Sequence, residues 1–321
     1  MTRYSARWSS AHWLLVATSV ASAQQADRDF EREIAAPRTY RSDDLSRSLT
    51  IERKTLDSAA AWSFLDPGAN YAMRSGEKTI WTRELPFTFV DARILGDGST
   101  VGYSYETDLH GTRARAGKDE PVSRLFVTCV DPLGALKWDK QYPRGIANAR
   151  MTNTPASPYV KSMIVNRDRL HLYLCVEDKP ELWVFNAASG DKLDTIKISP
   201  FENGSVSLWI AQRLETSSLD VVVLSHFGER PAEPNEPPRR PVTEGGVAVQ
   251  FYDSTGRLVA ESRMPYVYGR LRDQTLQDFK PTIRTDDIFL PTPAGSMILR
   301  PVEEGGGWKV ITEYRSRNDG K

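Results

Sequence analysis

The sequence predicts an almost wholly β protein made of repeated hairpins, of propeller type, with about five blades of antiparallel strands. Three observations lead there. Past about residue 49, short apolar runs are separated by Gly, Asp, Asn and Pro, which is the spacing of strands and turns. One hairpin pattern recurs along the chain, and the stretches between its copies each hold a further pair of apolar runs. Several of those runs are apolar on both alternations, as in Asp220-Val221-Val222-Val223-Leu224, the texture of a strand covered on both faces.

The recurring unit is an apolar run, an Asp or Asn, a turn with Gly, and a second run. It is clearest in Phe126 to Trp138 around Asp131 and Gly134, in Leu182 to Leu193 around Asn186 and Gly190, and in Val247 to Val259 around Asp253 and Gly256. Weaker copies lie at Tyr71 to Trp81 and at Met297 to Ile311. The residue choice has a physical reason: the Asp or Asn side chain caps the turn, and Gly takes the positive φ that closes it. With Gly76, Gly134, Gly190, Gly256 and Gly307 as markers, the intervals are 58, 56, 66 and 51 residues. A four-stranded blade fills roughly 40 to 50 residues, so each interval holds one blade with long loops.

The intervening pairs complete the blades: Thr88 to Leu95 with Val101 to Tyr105, Val160 to Val165 with Leu170 to Val176, Ser205 to Ile210 with Leu219 to Leu224, and Thr282 to Ile283 with Ile288 to Leu290. Residues 49–84 supply a fifth blade or closing strands. A pair of β-sandwich domains is the alternative architecture, because it uses the same strand and turn signals.

At its N-terminus, Arg3 and Arg7 precede an apolar stretch from Trp13 to Val20 that ends in Ala21-Ser22-Ala23. That order is a secretory signal over residues 1–23, with cleavage after Ala23 and a periplasmic or secreted destination. The apolar part is far short of the roughly 20 residues that span a bilayer, so no membrane span is expected. Residues 24–48 are dense in charge and read as a flexible leader, and residues 49–321 as the propeller-like domain. Within that domain residues 228–246 carry five prolines, four glutamates and three arginines, and read as a loop.

Charge excludes one class of partner. Lys plus Arg and Asp plus Glu each number 42, and losing Arg3 and Arg7 leaves a net charge of −2. Such a balance offers no overall attraction to nucleic acid. Cys129 and Cys175 both fall in strand-like runs, where they are either unpaired core thiols or, in an exported protein, a bridge.

The hairpin phrases resemble the broad superfamily of bacterial exported β-propellers, including quinoprotein-like and NHL-like repeats, whose blades carry apolar-Asp-x-x-Gly-x-apolar. Residues Leu182 to Leu193 and Phe251 to Val259 match best, and the resemblance covers residues 60–314. It implies a propeller fold and no particular chemistry. A regular Trp docking pattern, which a quinone site would imply, is missing, and no cofactor is predicted.

Past residue 23 the histidines are His110, His171 and His226, none at metal-ligand spacing. His171, alternating with Tyr173, reads as a hydrogen-bonded core histidine. Gly96-Asp97-Gly98-Ser99 reads as a hairpin turn between strands, not a phosphate loop, and Asn203-Gly204-Ser205 as a turn. Asp91, at the start of a first strand, is a carboxylate of the kind propeller glycosidases use, although hydrolysis needs a pair. The strongest candidate site is the connection Arg263 to Lys280, where Tyr266, Tyr268, Arg270 and Arg272 cluster with a local charge of +2. Tyr offers a flat platform and Arg a forked donor, suited to a carboxylated sugar or a protein. The expected function is therefore a non-catalytic exported binding or scaffold protein that recognises a protein or glycan ligand through one propeller face. A glycan- or lactone-cleaving propeller enzyme is the alternative.

Overall fold

A computed structural model describes residues 37–54, 68–106, 123–144, 158–176, 179–198, 205–229, 243–267, 281–292 and 295–316. They form twenty strands in five four-stranded antiparallel sheets, each sheet made of four consecutive strands. This sequential arrangement is the blade pattern of a β-propeller, and it sets aside the β-sandwich alternative, whose sheets mix strands by Greek-key connections. No helix among the described residues is long and apolar enough to cross a membrane.

The chain divides into two compact units, Met1–Ala156 and Ser157–Lys321. The first holds one sheet of β1 (Arg38–Arg41), β2 (Arg47–Arg53), β3 (Ala69–Ser75) and β4 (Lys78–Leu85), and another of β5 (Asp91–Ile94), β6 (Thr100–Glu106), β7 (Ser123–Val130) and β8 (Leu136–Arg144). The expected leader is thus partly strand. Its last residues form β1 and open β2, because Arg38 and Tyr40 alternate with Thr39 and Arg41 and turn one side of a short strand inward. Leu49, Ile51, Tyr71 and Met73 of the first sheet pack with Ala92 of the second and with Phe89 just ahead of it.

In the second unit, β9 (Tyr159–Asn166), β10 (Arg169–Val176), β11 (Lys179–Asn186) and β12 (Lys192–Lys197) form the third sheet. The fourth contains β13 (Ser205–Arg213), β14 (Asp220–Glu229), β15 (Thr243–Tyr252) and β16 (Leu258–Val267). The fifth contains β17 (Thr282–Arg284), β18 (Asp287–Thr292), β19 (Gly295–Glu304) and β20 (Gly307–Ser316). The fourth sheet is the clearest case of two covered faces. Val222 and Leu224 of β14 join a core with residues of the third sheet, while Val221 and Val223 join one with the fifth. All four are without solvent exposure, and removing such a side chain, as in Leu224→Ala, costs about 2–5 kcal/mol.

The marker glycines behave as the hairpin pattern requires. Gly76, Gly134, Gly190 and Gly256 all take positive φ in the third turn of their sheets. In the last sheet that role falls to Gly305 and Gly306, and the marker Gly307 begins β20. The loop expected at residues 228–246 is shorter than its composition suggests, because β14 and β15 pair from Glu229 with Thr243 inward and take in both ends. Residues 230–242, like the expected signal segment, lie outside the described residues. Cys129 is a buried free thiol, and burial pushes it up to about 12.

Candidate functional site

The site is built on the first strands of the two sheets of the first unit. On β1 the half-buried side chains are Arg38 and Tyr40, and both reach the residues just ahead of β5. The Arg38 guanidinium donates to the carbonyl of Phe89 at 2.7 Å and also to that of Val90. Tyr40 donates its hydroxyl proton to the same Val90 carbonyl at 3.3 Å. From the other side, the buried Tyr71 donates to the Phe87 carbonyl at 2.9 Å and accepts the Phe89 amide at 3.0 Å. Residues 87–90 are therefore held by side chains from β1 and β3, with Phe89 wedged edge-on against Tyr71.

Gly102 completes this mount. It pairs with Ala92 across β5 and β6, and a Cβ there would stand 2.5 Å from the Phe89 ring and 2.7 Å from the Asp91 carbonyl. Only a residue without a side chain lets β5 come this close, so Gly102 fixes how deep Asp91 sits.

Alternation then decides what β5 presents. Ala92 and Ile94 are buried, which leaves Asp91 and Arg93 together on the half-buried face. Asp91 Oδ1 accepts the Ala92 amide at 2.9 Å and Arg93 Nη1 at 2.7 Å. The two side chains keep 25% and 43% of their exposure, enough for a ligand to reach both. Burial raises the Asp91 carboxyl above its usual range, and the cations Arg93 and Arg38 with the Ala92 amide only partly offset it. The result is a carboxyl group that holds its proton more tightly than usual, beside a guanidinium, at a solvent-reachable strand edge.

A second polar concentration lies in the second unit and has another character. Asp220, at the start of β14, is met by three groups from β9 and β10. Asn166 Nδ2 donates to its Oδ1 at 3.2 Å, Tyr173 donates to its Oδ2 at 2.9 Å, and His171 Nδ1 lies 2.5 Å from Oδ2. All four residues are without solvent exposure. Burial, with the neighbouring Asp220 carboxylate, holds the Tyr173 hydroxyl well above its usual range, so it stays a donor. This cluster joins the third and fourth sheets and gives a ligand no approach, which makes His171 the core histidine that the sequence suggests. His226 of β14 pairs with Gly246 of β15, and His110 lies outside the described residues. Among the described residues, no group of three or more His, Cys, Asp or Glu side chains could hold a metal.

The aromatic and basic connection expected to bind ligand is only partly in view. Arg263 and Tyr266 belong to β16, Tyr266 opposite Gly245, and Arg263 is ion-paired with Glu261. That pairing removes Arg263 from the expected local charge. Tyr268, Arg270 and Arg272 lie outside the described residues. Asp91 was recognisable in the sequence as an isolated carboxylate, but Arg38 and Tyr40 were not, since they sit in a stretch whose charge density masks a four-residue alternation.

No protein-family model matches the chain, and no curated protein matches it either. Among solved structures it is similar to a GH93 α-L-arabinofuranosidase of Fusarium graminearum, with 11% identity over 89% of this chain and 83% of that one, at a TM-score of 0.45. It is also similar to the Dos1 propeller, with 12% identity over 89% and 64% of the two chains and a TM-score of 0.36. A GH43 protein from Bacillus licheniformis gives 10% identity over 88% and 56%, with a TM-score of 0.33. At these identities and scores the likenesses assign no role to any residue of this chain.

Proposed function

We propose that this chain is a glycan-recognising protein that takes sugar hydroxyls at the Asp91–Arg93 edge of its first unit. The observation that carries the reading is a carboxyl and a guanidinium 2.7 Å apart on one strand face, both partly open to solvent. Neighbouring hydroxyls of a sugar match that pair: one donates to the carboxylate while the next accepts from an Arg93 N–H. Tyr40, half-buried on the adjoining strand, adds an aromatic surface of the kind that sugar faces pack against.

One observation favours a second reading, glycan cleavage. Burial raises the Asp91 carboxyl above its usual range, the direction that a general acid in glycoside hydrolysis requires. Hydrolysis also needs a second carboxylate, and the strongest charges acting on Asp91 are the cations Arg93 and Arg38. Recognition is therefore the leading reading.

Binding of the whole chain to an array of immobilised oligosaccharides, followed by assay of reducing ends released from any glycan retained, tests both. Retention that disappears in Asp91→Ala supports recognition. New reducing ends that disappear in Asp91→Asn support cleavage. A folded chain that retains no glycan overturns the proposal.

A further inference from the structure

We infer that the turn of residues 214–219 is a coupling element that makes the third, fourth and fifth sheets respond together, so that loosening one flanking sheet loosens the other. The turn joins β13 to β14, and its closure is local: the Leu214 amide donates to the Leu219 carbonyl at 2.7 Å, with both side chains buried. The Thr216 and Ser217 amides and the Ser218 carbonyl, in contrast, are met by the two flanking sheets.

From the fifth sheet comes Asp286, which sits in the two-residue turn between β17 and β18. Its Oδ1 accepts the Thr216 amide at 3.0 Å, and its Oδ2 accepts the Ser217 amide at 2.9 Å together with the Thr216 hydroxyl. From the third sheet comes Asn166, the last residue of β9, whose Nδ2 donates to the Ser218 carbonyl at 2.9 Å as well as to Asp220. Arg213, just before the turn, donates to the Val165 carbonyl at 3.1 Å. Two consecutive amides thus belong to one neighbour and the next carbonyl to the other.

Ser218 lies at φ 57°, a left-handed conformation that a residue other than glycine adopts only when its surroundings enforce it. Here the enforcing contacts stand on either side of it. Release of Thr216 and Ser217 by Asp286 lets Ser218 leave that well, and its carbonyl then turns away from Asn166. The side chain that loses this acceptor also donates to the buried Asp220. Loss at either flank reaches the other through one strained residue, which is the condition for a coupling energy between non-adjacent contacts.

The test is amide exchange on the whole chain for Asp286→Asn, Asn166→Ala and the double variant, with the β11 amides as the reference for global unfolding. In Asp286→Asn, exchange should speed up about tenfold or more at residues 216–217 and also at residues 166–170, where Asp286 makes no contact. The double variant should lose less than the sum of the single losses in chemical denaturation. Thr216→Val, which removes only the hydroxyl, provides a milder variant if Asp286→Asn does not fold, and should show the same two-sided pattern. Acceleration confined to residues 214–219 and 285–287, with additive losses in the double variant, would overturn the inference.

Discussion

Asp91 and Arg93 share one face of β5, their side chains 2.7 Å apart, on a strand whose opposite face is closed by Ala92 and Ile94. The pair is presented at fixed depth because Phe89 and Val90 are held by Arg38, Tyr40 and Tyr71 before β5 begins.

Asp91 should give stability a recognisable pH dependence. Its carboxyl is raised in the folded chain, above the ordinary value of 3.8 that it regains on unfolding. Between those two values the folded state binds more proton than the unfolded state, so stability falls as pH rises through the window, and the loss is complete above the folded value. Denaturant unfolding measured from pH 3.5 to 7 should show a smaller fall in Asp91→Asn than in the parent chain. Parallel curves for the two proteins would contradict the assigned burial.

Tyr173 should matter through its hydroxyl alone. In Tyr173→Phe the ring packing stays and Asp220, fully buried, loses one of its donors. The expected cost is about 1–3 kcal/mol in chemical denaturation. A cost below about 0.5 kcal/mol would mean that the Asp220 cluster does not tie the third sheet to the fourth.

Cys129 should be chemically silent in the native protein. Its thiol is pushed up to about 12 by burial, leaving almost no thiolate at pH 8. Iodoacetamide at that pH should label Cys129 only in denaturant, as read by peptide mass. Rapid native labelling would show that the strand β7 opens readily.

The sequence pattern at Tyr266, Tyr268, Arg270 and Arg272 supports a second proposal, a recognition patch for acidic ligands. Arg270→Ala with Arg272→Ala should weaken retention of uronate-bearing oligosaccharides on an array at least tenfold while shifting the melting temperature by no more than a few degrees. Unchanged retention removes the patch, and a large fall in melting temperature assigns these arginines to the core.

Some hairpins were legible in the sequence because their turn chemistry is explicit. Asp131 and Asp253 each accept two amides of their own turn, and Gly134 and Gly256 take the positive φ that follows. The turn between β5 and β6 carries the same mark in Asp97 and Gly98, but the first turns of the other sheets have no glycine at that place. Leu45, Arg167, Ser218 and Thr285 all take left-handed conformations there, in four of the five sheets, without being glycine. Contacts from neighbouring sheets hold at least one of them, Ser218, and no local pattern announces such contacts. Arg38 was hidden for the same reason: its partners, the carbonyls of Phe89 and Val90, lie some fifty residues away. The carboxylate of the site could be read from the sequence, and the groups that fix it could not.

Calorimetric titration of the oligosaccharide most strongly retained on the array, into the parent chain, Asp91→Ala and Arg93→Ala, tests the central claim most directly. The account predicts that each substitution weakens binding at least tenfold, about 1.4 kcal/mol, with melting temperatures that stay within a few degrees of the parent. Parent-like affinity in both variants would place glycan recognition elsewhere and contradict the Asp91–Arg93 site.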